Sequence, residues 1–316
     1  MTPLREDLSF ESDGETCAAW RLRGEGSSYS TAAGRPCVVM AHGLGGTRDS
    51  GLLPFAEAFA GAGLEVLLFD YRCFGDSGGE PRQLASPRRH RRDYAAAVEF
   101  ARRLDGVDPD RIVLWGTSWS GGHVVHVAAE DSRIAAVIAQ NPDLDGIRTL
   151  GMISRYGGPG QLAKLTWHGL RDRARDLRGA PPHLIPTVGP PGTIGAMTSE
   201  GSDSGYHAIA GPTWTNELTA RAVLDEARNR AVTCASRVRS PLLIQVALGD
   251  SIAAPSACPV VADRAPRAEL VSYPIAHFDI YLGEARERAI ADQLEFLSRR
   301  LDGGAGGPDE PAARRA

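Results

Sequence analysis

The sequence predicts an α/β fold: a mostly parallel, twisted sheet of about eight strands flanked by helices, with an inserted helical lid. Three observations carry this. Short apolar runs alternate with segments of helical period along most of the 316 residues. Several of the apolar runs are continuous rather than alternating, as strands covered on both faces must be. Residues able to do chemistry gather in the loops that follow those runs, where an open α/β sheet binds its ligand.

Taken in order, strands are expected at 16–22, 37–41, 65–69, 111–115, 134–139, 242–248 and 269–273, with helices at 53–62, 86–104, 121–129, 256–265 and 284–301 between and after them. The 86–104 helix opens with Pro87-Arg-Arg-His-Arg-Arg, which could bind an anion or a nucleic acid. Its apolar face (Tyr94, Val98, Ala101) favours a solvated basic face instead. Residues 142–237 break the alternation. They hold an expected helix at 162–177, a Pro/Gly-rich stretch at 179–195 and an expected helix around 216–228. Their apolar residues Trp167, Ile185, Met197, Tyr206 and Trp214 need a surface to pack on, which suits a lid over the site. The expected division is therefore a core of 1–141 and 238–301, a lid of 142–237, and a disordered tail of 302–316 rich in Gly, Pro and charge.

Composition narrows the function. A net charge of −4 argues against nucleic-acid binding, and 42% apolar content supports one substantial core. No apolar run approaches the roughly 20 residues of a membrane span, and no signal-like stretch follows Met1, so a cytoplasmic, non-membrane protein is expected. Cys17, Cys37, Cys73, Cys234 and Cys258 are odd in number and scattered, which reads as reduced thiols. No metal or organic cofactor is implied, and the oligomeric state is not legible.

The richest segment is Arg111-Ile-Val-Leu-Trp-Gly-Thr-Ser-Trp-Ser-Gly-Gly-His123, a strand, a sharp turn and the start of a helix. A serine held in strained backbone at such a turn needs small neighbours two residues either side, and Gly116 and Ser120 meet that need around Ser118. Ser120, between Ser118 and Gly122, is the rival register. Ser118 is favoured because it follows the strand more directly and has Gly116 behind it. A hydroxyl needs a base, a group to orient that base, and donors for the developing oxyanion. Of eight histidines, His277 alone lies in a loop after a late strand with a strand-capping acid, Asp250, before it. The glycine-rich turn His42-Gly-Leu-Gly-Gly46 after the 37–41 strand supplies Leu44. Leu44 and Trp119 are the expected backbone N–H donors, and His42 is expected to be a structural hydrogen bonder. Asp70, Arg72 and Asp76 could line the pocket, but Gly/Asp-rich loops usually spend such side chains on local hydrogen bonds.

The His42-Gly-Leu-Gly-Gly turn, Phe69-Asp-Tyr-Arg-Cys-Phe-Gly-Asp-Ser-Gly-Gly, Gly116-Thr-Ser-Trp-Ser-Gly-Gly-His, the Asp250 loop and His277-Phe-Asp-Ile-Tyr resemble the α/β-hydrolase superfamily over about residues 8–300. The endings resemble its serine aminopeptidase-like and dienelactone hydrolase-like bacterial members. That resemblance implies a serine hydrolase with Ser118, Asp250 and His277 as its triad. The expected substrate is a small acyl compound: a carboxylic ester, thioester or lactone. The alternative is non-hydrolytic chemistry on the same scaffold, such as cyclisation, dehydration or carbon-carbon cleavage.

Overall fold

In the computed structural model, which describes residues 4–301 and 314–315, the main sheet runs in the order β1-β2-β4-β3-β5-β6-β9-β10-β11. Its strands are β1 (Arg5–Ser12), β2 (Glu15–Leu22), β3 (Arg35–Ala41), β4 (Glu65–Phe69), β5 (Val107–Thr117), β6 (Ile134–Gln140), β9 (Leu242–Ala247), β10 (Ala268–Tyr273) and the two-residue β11 (Arg314–Arg315). Pairing is antiparallel where β1 meets β2 and β2 meets β4, and parallel from β4 across to β11. Strand β1 has no counterpart in the expected set. Its Arg-Glu-Asp-Leu-Ser-Phe run puts Phe10 inward on the same face as Glu6, with Arg5 and Asp7 outward, so it carries only a weak apolar signal for an edge strand. The disorder expected for the tail concerns residues that, apart from 314–315, lie outside the described ones. Arg314 and Arg315 pair with Leu270 and Val271.

The period of two in each strand splits the core. Val39, Leu67, Leu114 and Ile244 pack on one face with α2 (Pro87–Ala101), α3 (Trp119–Glu130) and α7 (Cys258–Arg264). Val38, Met40, Val66, Leu68 and Trp115 pack on the other with α1 (Leu53–Gly61) and α8 (Gly283–Leu301). All five cysteines are buried and unpaired. Among the described residues, no helix is long and apolar enough to cross a membrane.

Between β6 and β9 the chain forms α4 (Gly146–Asp176), β7 (Leu184–Ile185), α5 (Ser202–Ile209), β8 (Leu218–Thr219) and α6 (Ala222–Asp225). Helix α4 begins sixteen positions before the expected 162, and it breaks at Gly158 (φ 73, ψ 169) ahead of Pro159. Of the helix expected around 216–228, the second half forms and the first half does not. Asn216 instead pins the backbone of Val188 from both sides, and β8 pairs with β7, leaving helical turns only from Ala222.

Candidate active site

Strand β5 delivers Ser118 to the first position of a turn that closes directly into α3, and its backbone takes φ 54, ψ −122, a region closed to most L-residues. Its carbonyl accepts from the N–H groups of Gly121 (3.0 Å) and Asp143 (2.8 Å), and its own N–H donates to Gln140 (2.8 Å). The turn leaves no room behind it: a Cβ on Gly116 would lie 2.4 Å from the Ser120 carbonyl oxygen, and one on Gly122 only 2.2 Å from that of Asp143. The crowded positions are thus two before and three and four after Ser118, so position 120 tolerates a side chain. Ser120 uses its hydroxyl structurally: it accepts from the Thr117 N–H (2.8 Å) and lies within hydrogen-bonding reach of the Ala41 and Thr117 carbonyls. Ser120 is fully buried. Ser118 lines two cavities.

The β9–α7 loop presents Asp250, whose Oδ1 accepts the N–H groups of Ile252 (2.7 Å) and Ala253 (2.9 Å). Its Oδ2 is left to meet Nδ1 of His277 at 2.5 Å. That contact fixes the tautomer: Nδ1 carries the hydrogen and Nε2 is left as the basic atom. Both residues are buried. A residue absent from the expected site completes the support. Asn141, at φ 39 just past β6, donates to the His277 carbonyl (2.9 Å) and accepts from the Ala247 N–H (2.9 Å), tying three strand ends together. Its only sequence signal is the Gln-Asn-Pro step after a strand. His277 and Ser118 line one small cavity with Gly43, Leu44, Tyr206 and Tyr281.

Leu44 and Trp119 line the larger cavity together with Ser118. Trp119 opens α3, so its N–H is one of those the helix leaves without an intrahelical partner. Leu44 is held by Tyr206 of α5, whose hydroxyl donates to the Leu44 carbonyl at 3.1 Å. His42 is buried, donates from Nδ1 to the Gly43 carbonyl (2.9 Å), and burial pulls its pKa down to about 4, so it sits there neutral. Asp70, Arg72 and Asp76 do not line the cavities. Arg48 binds Asp70 and Asp76, and Arg72 binds Asp93, Asp13 and Ser12, bracing the loops behind the site.

A second cavity, about 1000 Å³ and open to solvent, runs from Ser118, Trp119 and Leu44 under α4. Its wall mixes aliphatic side chains with hydroxyls and Gln161, and holds two acids the sequence did not single out, Asp143 and Glu226. Trp119 Nε1–H donates to Glu226 Oε2 at 2.8 Å. Burial first, and the charge of Asp143 second, push the Glu226 carboxyl well above the usual range, and burial likewise raises Asp143.

A strand-turn-helix serine, a strand-end imidazole bound to a strand-end carboxylate, and a doubly covered parallel sheet define the α/β-hydrolase class. Residues 36–284 match the family described as alpha/beta hydrolase fold, and the chain belongs to it. The chain is 41% identical over 295 residues to the quorum-quenching protein AidA of Acinetobacter baumannii, covering 93% of this chain and 94% of that one. It is 28% identical over 305 residues to the polyketide transferase af380 of Aspergillus fumigatus, covering 94% and 99%. The crystal structure of the α/β hydrolase GrgF from Penicillium superposes with a TM-score of 0.78 at 23% identity, covering 95% of this chain and 99% of that one, which is a likeness of fold.

Proposed function

We propose that this protein is a serine hydrolase that opens a carboxylic ester, thioester or lactone through an acyl-enzyme. The observation that carries the reading is that Ser118, on strained backbone at the head of α3, shares a cavity with an imidazole whose far nitrogen is bound to Asp250. In this mechanism His277 Nε2 takes the Ser118 proton as Oγ attacks the carbonyl carbon. The tetrahedral oxyanion is met by the Leu44 and Trp119 N–H groups. The imidazolium, steadied by Asp250, returns the proton to the leaving oxygen or sulfur. Water, deprotonated by the same imidazole, then attacks the acyl-serine. Residues 142–237 act as the lid: Tyr206 reaches the Leu44 loop, and α4 roofs the acyl cavity.

A second reading keeps the acyl-enzyme and replaces water with another nucleophile; the similarity to a protein named a polyketide transferase favours it. Turnover of short p-nitrophenyl esters decides between them, because hydrolysis releases the free acid without an added acceptor. The reading requires Ser118→Ala to lower kcat by at least about 10³-fold. A Ser118→Ala enzyme within tenfold of the parent overturns it.

A further inference from the structure

Both acids in the cavity wall face the space beside the nucleophile, and neither takes part in the mechanism above. Asp143 lies three residues past β6, and its N–H donates to the Ser118 carbonyl at 2.8 Å. Glu226 reaches in from the turn after α6. Asp143 is 4% and Glu226 9% exposed. Asp143 Oδ1 accepts from the Thr149 hydroxyl (2.9 Å), and Glu226 Oε2 accepts from Trp119 Nε1–H (2.8 Å). Glu226 Oε1 is buried with no donor on it.

From this placement we infer that Asp143 and Glu226 form a specificity site that binds an N–H or O–H donor on the acid part of the substrate, a few atoms from the scissile carbonyl. The inference rests on the acyl-enzyme reading above.

Two carboxylates packed together away from water cannot both stay ionised, so the pair holds one proton. Burial and the neighbouring charge favour the proton on Glu226, from which it is shared with Asp143. That proton is thereby spent inside the pair. What remains toward the cavity is acceptor capacity: each carboxyl oxygen has two lone-pair sites, and the fixed donors from Thr149 and Trp119 fill only one apiece. The site therefore selects donors and gains nothing from a carbonyl or ether at the same place. The surrounding wall, with Leu150, Ile153, Leu165 and Val223, offers such a donor no other charged partner. The cavity's hydroxyls and Gln161 offer only neutral acceptors, so the acid pair is the strongest acceptor a buried donor can meet there, and this sharpens discrimination. An acid pair that merely braced Trp119 would be indifferent to the substrate.

Two p-nitrophenyl esters that differ in one group test this: the N-acetylglycine ester, with N–H, and the 4-oxopentanoate ester, with CH₂ at the same position. The expected wild-type preference is about tenfold in kcat/KM for the N–H ester, the worth of one hydrogen bond to an acid pair. It should reside in KM with kcat nearly equal, because the contact exists in ground and transition states alike. Glu226→Gln still accepts from Trp119 and donates to Asp143, so it keeps the preference; Glu226→Leu brings the ratio to about one. Equal kcat/KM for the two esters in the wild-type enzyme overturns the specificity site while leaving the hydrolase reading intact, and needs no variant. A folded Glu226→Leu protein that keeps the tenfold ratio overturns it too. Failure to turn over either ester removes both readings together.

Discussion

Replacing Ser118 by glycine should abolish activity and stabilise the fold. At φ 54, ψ −122 a residue with a Cβ sits in a sparsely populated region, and holding it there costs of order 1–3 kcal/mol. Among the described residues no hydrogen bond of the Ser118 hydroxyl contributes to offset that cost, although its backbone is held by Gln140, Gly121 and Asp143. Glycine relieves the strain, and against this the unfolded chain gains entropy worth about 0.4–1 kcal/mol. The net gain is about 1 kcal/mol, or a rise in Tm of about 2 °C for a chain of this size. Ser118→Ala is the matched control: it also lacks the hydroxyl but keeps the Cβ and the strain. Thermal unfolding of the three proteins by circular dichroism gives the comparison. Glycine and alanine variants of equal Tm, or an alanine variant the more stable of the two, would show that the turn stores no strain at this position.

Three further outcomes follow from named contacts. Asp250→Asn reverses the hydrogen-bonding preference at His277 Nδ1 and should lower kcat by about 10³–10⁴-fold with little change in KM, read from initial rates on a short ester. Tyr206→Phe removes the hydroxyl that holds the Leu44 carbonyl, and should reduce kcat/KM by about three- to tenfold while barely moving Tm. His42 binds its proton at about pH 4 when folded and near 6.5 when unfolded, so between those values the unfolded chain holds more protons and stability falls with falling pH. Its contribution to that fall is about 2 kcal/mol by pH 5. Buried His90 and His123, with pKa values lowered by burial, add in the same direction. Buried Asp70, raised by burial to about 6, works in the opposite direction, so the His42 share is read by comparison: a folded His42→Asn variant should lose about 2 kcal/mol less than the parent between pH 7 and pH 5, and equal losses would contradict this.

The parts of the site that could be read from the sequence are those that strand ends dictate. Ser118, Asp250, His277 and Leu44 each follow a run of apolar residues by a few positions, so sheet geometry alone gathers them at one rim. The sequence favoured Ser118 over Ser120; what it did not show is why position 120 carries a side chain, because the residue crowded by the Asp143 carbonyl is Gly122, a contact outside the local motif. Glu226 was invisible for the same reason: its partner Trp119 is 107 positions away. Strand β1 escaped because an edge strand buries one side only, and the outward Arg5, Asp7 and Ser9 hide the inward Phe10. Across 142–237, helical period was a poor guide because tertiary hydrogen bonds took over. Asn216 holds the chain extended beside Val188 where periodicity alone favoured a helix, and Gly158 with Pro159 divides what would otherwise be one long α4.

The central claim is that Ser118 is the nucleophile, and covalent capture tests it most directly. The protein is treated with a fluorophosphonate, digested, and the adduct located by fragmentation within the peptide from Ile112 to Arg133, which carries both candidate serines. The account predicts a single stoichiometric adduct on Ser118, absent from Ser118→Ala and strongly slowed in a folded variant lacking the His277 imidazole. An adduct on Ser120, or on a residue away from this turn, contradicts it.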